Sequence, residues 1–284
     1  VGVPILGFYF WCTNQFIVQR VLGARSIADA RRGALFAGLL KLPVLFLMVL
    51  PGVMAGVFLP GLDNGDQVFP TLIGTLLPQG LAGLVLAALI AALMSSIDST
   101  LNSAAALVTL DFIKPLWPQI TPRRTAWIGR MAIVVFMLVS ALIAPAIGSF
   151  TGLFHYLQTA LAFLVPPVVV IFLFGLFWPR AGATAALTTL LGGHVVSAIC
   201  FIATLTGWLK LHFTLIAGLI FAVSSLMFWL TARLTAPASL QQVDRFTYRP
   251  EILASTVTGP WWTDYRTQAA ILLLLTLWLV TSFW

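Results

Sequence analysis

Ser95, Ser96, Ser99 and Ser103, together with Asp98 and Asn102, interrupt a segment that is otherwise apolar from about residue 81 to 110. At 3.6 residues per turn, Ala92, Ser95, Ser96, Ser99 and Ser103 form one stripe, and Ser95, Asp98 and Asn102 form a second. Hydroxyls, backbone carbonyls and a carboxylate are the oxygen ligands that small hard cations prefer. A carboxylate inside an apolar span marks a functional site, because burying it in lipid is costly. The pattern therefore points to a cation or proton site. Small hydroxyl residues also let membrane helices approach and cross-bond; that alternative accounts for the serines and leaves Asp98 unexplained.

A second group of residues could hold an organic solute. Phe8, Tyr9, Phe10 and Trp11 precede Asn14, Gln15, Gln19 and Arg20. Aromatic faces beside amides suit a sugar or another polar ring, while an interfacial aromatic belt is the competing reading. Lys41 lies eight residues past Gly33, about 12 Å along a helix, and so falls near mid-depth unless it snorkels. Gln158, with His155, Tyr156 and Thr159, enters apolar sequence, where a lone glutamine could also cross-bond helices.

Enzymatic chemistry finds no carrier. His155, His194 and His212 are far apart, and Cys12 and Cys200 both sit in apolar runs, which argues against a disulfide framework or a thiolate metal site. Without a phosphate loop, nucleophile elbow or paired carboxylates, the sequence predicts no catalytic residues and no organic cofactor.

The elements that must position these groups are membrane spans. The chain of 284 residues is 60% hydrophobic and 8% charged, with a mean hydropathy of +1.03, against roughly 25% charged for a soluble domain. Eight apolar segments are long enough to cross a bilayer: about 1–19, 33–59, 81–110, 126–148, 151–178, 183–206, 212–234 and 268–284. The polar interval 231–268 reads as a loop, and no soluble domain is evident.

Basic residues are scattered over connections instead of clustered, which argues against a nucleic-acid partner despite a formal charge of +7. Arg20, Arg25, Arg31 and Arg32 mark one connection as cytoplasmic, and Asp63 and Asp66 mark the next as outside. Lys114, Arg123, Arg124 and Arg130 return to the cytoplasm, a turn near Gly148 is uncharged, and Arg180 lies inside again. Lys210 breaks the pattern in an outward loop, and Arg233, Arg245, Arg249 and Arg266 put 231–268 inside. Lys41 and Asp98 alone lie within spans by this map. The chain opens on Val within an apolar stretch, which predicts that helices of the same protein precede it.

Four ordered stretches carry a family resemblance. They are Tyr9-Phe10-Trp11-Cys12-Thr13-Asn14-Gln15-Phe16-Ile17-Val18-Gln19-Arg20; Leu40-Lys41-Leu42 with Leu50-Pro51-Gly52; Met94-Ser95-Ser96-Ile97-Asp98-Ser99 through Leu101-Asn102-Ser103; and Tyr156-Leu157-Gln158 leading to Pro166-Pro167 and Phe177-Trp178. The sequence resembles the sodium/solute symporter family, nearest its sodium/glucose cotransporter branch. The resemblance implies an all-α polytopic protein of the inverted-repeat, leucine-transporter-like architecture, with alternating access around a midplane site. Residues 1–178 would be the second repeat and 179–284 accessory helices, with the first repeat absent.

By the same resemblance, sodium falls on the Ala92 carbonyl and the hydroxyls of Ser95 and Ser96, and a second ion on Ser95, Asp98 and Ser99. Asp98 departs from the sugar transporters, where that position is usually uncharged. Solute contacts fall on Phe10, Lys41 and Gln158, with Phe10 replacing a usual tyrosine, and Trp11 and Asn14 join them as the aromatic and amide beside Phe10. The implied activity is sodium-coupled uptake of a sugar or sugar-like solute by a multi-pass protein of the plasma (inner) membrane, with lipid as surroundings. A symporter for a carboxylate, amino acid or polyol, or a sensor that binds without transporting, remain the alternatives.

Overall fold

The computed structural model describes residues 2–59, 61–62, 65–147, 152–248 and 261–283. Asp63, Gly148 and Arg249, used above to orient the connections, lie outside the described residues. Among those described the secondary structure is helical throughout, without strands.

The elements are α1 (Gly2–Thr13), α2 (Gln15–Leu22), α3 (Ile27–Phe58), α4 (Val68–Leu76), α5 (Gln79–Leu116), α6 (Pro122–Ile147), α7 (Leu153–Leu164), α8 (Pro166–Phe177), α9 (Ala183–Leu205), α10 (Phe213–Leu234), α11 (Leu240–Phe246) and α12 (Tyr265–Phe283). Six of them, α3, α5, α6, α9, α10 and α12, are long and apolar enough to cross a membrane. The pair α7 and α8 would make a seventh span, bent by 51°, and α1 is a shorter apolar helix. The chain is an all-α polytopic membrane protein.

Several boundaries differ from the sequence reading, each for a local reason. The first apolar segment is interrupted: Asn14 adopts extended backbone (φ −70°, ψ 115°) after a π-helical turn at Tyr9–Thr13. The Tyr9 carbonyl accepts both the Asn14 N–H (2.9 Å) and the Thr13 hydroxyl (3.0 Å). A side chain that bonds the backbone locally competes with the helix ladder in this way. The fifth segment bends at Pro166-Pro167, since proline removes a donor and clashes with the preceding turn.

The connection at 60–80 contains α4, and α5 runs on to Leu116, so Asp111 lies within a helix. The interval 231–268 is not all loop. Ser239 and Gln242 form a reciprocal capping box that starts α11, and the Tyr248 N–H donates to the Leu176 carbonyl at 2.8 Å.

The chain divides into two compact units, one of Val1–Val18 with Phe154–Thr258 and one of Gln19–Leu153 with Gly259–Trp284. In the first, α8, α9 and α10 pack mutually and α1 lies against α8 and α10. Ile5 and Leu6 of α1 meet Val165 and Val169; Val170 meets Ala185, Phe228 and Ala232. In lipid the gain comes from close fit rather than from expelling water, so small residues line such seams. A Cβ at Gly193 would stand 2.7 Å from Pro167 Cβ and 2.9 Å from Ser224 Oγ, so only glycine permits that approach.

In the second unit α5 packs on α6, α3 on α12, and α4 on α3 and α5. Its span faces are otherwise exposed aliphatic side chains, such as Leu47, Met48, Ile90, Leu93 and Leu142. That is the surface hydrocarbon accepts.

Candidate functional site

The proposed ion ligands lie on one continuous helix, α5, in the second unit. Ser96 Oγ donates to the Ala92 carbonyl at 3.0 Å, Ser99 Oγ to the Ser95 carbonyl at 2.9 Å, Thr100 Oγ1 to the Ser96 carbonyl at 2.9 Å and Ser103 Oγ to the Ser99 carbonyl at 2.8 Å. Each hydroxyl spends its one proton on the carbonyl a turn earlier and keeps its lone pairs. The helix therefore presents a band of acceptor oxygens with Ala92, Ser95 and Ser96 all exposed. This is chemistry for a cation and against an anion.

Asp98 lies beside that band. Asn102 Nδ2 donates to its carboxylate at 3.0 Å, as the spacing of the second stripe allows, and among the described residues Asp98 has no ion-pair partner. The two stripes inferred from spacing therefore differ chemically: one is neutral oxygen, the other an amide-stabilised carboxylate.

Sequence reasoning missed Arg20. Read above as a marker of the inner boundary at the end of the aromatic and amide stretch, it reaches Ser99, its Nη2 donating to Ser99 Oγ at 2.5 Å. Ser99 therefore donates to the Ser95 carbonyl and accepts from a guanidinium at once. A cation on Ser99 would face a fixed positive charge, whereas among the described residues Ala92, Ser95 and Ser96 accept no hydrogen bond from a cation. The only sequence signal was that Arg20 ends an otherwise amide-bearing stretch, and the contact spans 79 positions of chain.

The solute candidates are distributed over both units. In the first, Phe10, Trp11 and Asn14 gather at the α1–α2 break. Phe10 is half-buried and stands edge-on to Trp11 (5.9 Å between centroids) and to Phe16 (6.1 Å), so its ring is held across the interruption. Gln158, also in the first unit, is half-buried on α7, where His155 stands edge-on to Phe213 at 5.7 Å and Thr159 Oγ1 is buried without a hydrogen bond among the described residues. Lys41 belongs to the second unit, two residues before Pro43 on α3 and ahead of a π-helical stretch at Leu45–Val49. Within that unit Lys41 and the Ala92–Ser99 band stand on helices that pack mainly on α12 and α6. Among the described residues no three His, Cys, Asp or Glu side chains converge.

Comparison with known proteins identifies the family. The profile of the Sodium:solute symporter family matches residues 2–193. A sodium/myo-inositol cotransporter 2 of Homo sapiens is 36% identical over 217 residues, covering 70% of this chain and 32% of that protein. A sodium/mannose cotransporter of Bos taurus is 37% identical over 216 residues, covering 69% and 36%. A sodium/glucose cotransporter of Vibrio parahaemolyticus is 37% identical over 204 residues, covering 66% and 37%. The chain thus spans about a third of the length of the curated relatives it matches, and the matched region includes the Asn14 break, Lys41, the α5 oxygen band and Gln158. This chain belongs to the sodium:solute symporter family.

Proposed function

We propose that the protein of which this chain is part takes up a sugar or sugar-like polyol in symport with sodium, by alternating access, in the plasma (inner) membrane. The observation that carries the proposal is the α5 band, in which proton-spent hydroxyls at Ser96 and Ser99 stand with Ser95 and the Ala92 carbonyl inside an apolar helix. Membership of a sodium:solute symporter family supports reading those oxygens as ligands for sodium. The relatives' names, for myo-inositol, mannose and glucose, share a hydroxyl-rich ring as solute.

On this reading Ala92, Ser95 and Ser96 bind sodium as the coupling ion. Asp98 acts from the adjacent stripe, and Ser99 contributes less because Arg20 engages it. Phe10 and Trp11 stack on the solute, and Asn14, Lys41 and Gln158 bond its hydroxyls. Residues 1–178 serve as the second repeat, 179–284 as accessory helices, and preceding helices of the same protein supply the remaining ligands. Sodium raises solute affinity by favouring one state of a two-state equilibrium, and the coupling is reciprocal. Each tenfold of coupling corresponds to about 1.4 kcal/mol.

The test is tracer uptake by the full-length protein in proteoliposomes, first with an inward sodium gradient and then with choline in place of sodium. Accumulation of a labelled hexose or inositol only with sodium is expected. Uptake that is the same in choline would end the symport reading, and saturable binding without accumulation would favour a sensor.

A further inference from the structure

Facing the α5 turns that follow the ion band is a cavity of about 530 Å³ that the transport reading does not use. Its walls come from α5 and α6, both in the second unit. Asn102, Ala105, Thr109 and Lys114 lie on one side and Gly129 and Arg130 on the other. Its volume falls in the range of small-molecule sites. Two cations line it and no carboxylate does, and among the described residues neither the Lys114 ammonium nor the Arg130 guanidinium has an ion-pair or hydrogen-bond partner.

The hydroxyls cannot serve as further donors, because Thr109 Oγ1 donates to the Ala105 carbonyl (2.8 Å) and Thr125 Oγ1 to the Thr121 carbonyl (3.2 Å). Apart from the Asn102 amide, the cavity is thus apolar along its length, and it is positive at two points.

Local backbone geometry puts Lys114 there. Leu107–Ile113 is a π-helical stretch, and the Lys114 N–H donates to the carbonyl of Thr109, five residues back. In π geometry a residue stacks over the one five before it. Lys114 therefore continues the wall of Ala105 and Thr109, while Asp111 is turned off it.

The depth of the cavity is marked independently. Trp117 and Trp127 are 54% and 61% exposed beside the basic residues of the α5–α6 turn, and exposed tryptophans with cations mark the headgroup level of a cytoplasmic leaflet. Basic pockets between spans on that side hold anionic headgroups.

We infer that this cavity binds the phosphate of an anionic phospholipid, its diester oxygens on Lys114 and Arg130 and its glycerol and first methylenes along the apolar walls. The shape argues for a lipid over free phosphate, because a free ion would leave the apolar length of the cavity unused.

The inference can be tested on the full-length protein, delipidated in detergent and titrated with dioctanoyl phosphatidylglycerol or dioctanoyl phosphatidylcholine, with bound lipid counted by native mass spectrometry. Phosphatidylglycerol should bind, and Lys114→Gln with Arg130→Gln should weaken it about 30-fold, the attraction of two surface cations. Arg123→Gln with Arg124→Gln, on the same turn but outside the cavity, should leave it within twofold. Ala126→Phe keeps both cations and fills the cavity, so it should also abolish retention, which covers the case of a poorly folded double variant. Equal binding of the two lipids, or equal loss in the Arg123 and Arg124 pair, would overturn the inference. Complete displacement by 10 mM inorganic phosphate would replace the lipid with a phosphate ion and overturn it as well.

Discussion

Replacing Ser96 with alanine tests the ion reading most directly, because the structure separates two serines that look alike in sequence. Ser96 Oγ donates to the Ala92 carbonyl at 3.0 Å and, among the described residues, accepts from no cation, whereas Ser99 Oγ accepts from Arg20. Removing a neutral oxygen that faces a charge costs about 1.5–3 kcal/mol. That converts to a half-saturating sodium concentration raised roughly 10- to 150-fold. Ser99→Ala should raise it less than about threefold, since the guanidinium already discounts that oxygen.

Fold stability should hardly change in Ser96→Ala. The residue is exposed, and a hydroxyl bonded back to the carbonyl four residues earlier slightly destabilises a helix, so the effect stays within about 0.5 kcal/mol. The assay is sodium activation of tracer uptake by full-length protein in proteoliposomes at saturating solute, with the unfolding midpoint measured on the same preparation. A shift in Ser99→Ala equal to or larger than that in Ser96→Ala would refute the reasoning. So would an unchanged sodium curve in Ser96→Ala.

Three further predictions follow from the same structure. Asp98→Asn should raise half-saturating sodium while leaving solute affinity at saturating sodium within about twofold; equal sodium curves for variant and parent would remove Asp98 from ion coupling. Lys41→Ala should lower solute affinity about tenfold or more, as expected for a lost charged donor, and an unaltered half-saturation for solute would return Lys41 to a snorkelling role. Gly193→Ala should destabilise the first unit by about 1–3 kcal/mol through overpacking against Pro167 and Ser224, read as a lower unfolding midpoint in detergent; an unchanged midpoint would show that the seam can open at no cost.

What the sequence made legible was periodic or compositional. Hydropathy alone places α3, α5, α6, α9, α10 and α12, because a span requires an apolar run of fixed length. The split of α5 into two stripes is a consequence of 3.6 residues per turn, and the Asn102–Asp98 bond is its direct expression. The features that escaped depend on backbone departures or distant contacts. Nothing in Tyr9–Asn14 announces a π turn ending in extended backbone, since neither glycine nor proline marks it. The capping box at Ser239 and Gln242 was present in the sequence but overshadowed by the polar character of the interval around it. Arg20 looked like a boundary because charge was read along the chain, and its partner is on another helix.

The packing of α1 against α8 and α10 also constrains how the molecule is made. Gly2 comes so close to the Thr214 carbonyl that a Cβ would collide with it, and Ile5 and Leu6 find their neighbours at Val165 and Val169. At about 5–20 residues synthesised per second, roughly 10–40 s pass between the emergence of Gly2 and that of Thr214. During that interval α1 lacks α10, against which it packs; once made, α8, α9 and α10, adjacent in sequence, close their seams with little loop entropy. Substitutions that make α1 more polar should therefore act on yield during biogenesis before they act on the finished transporter.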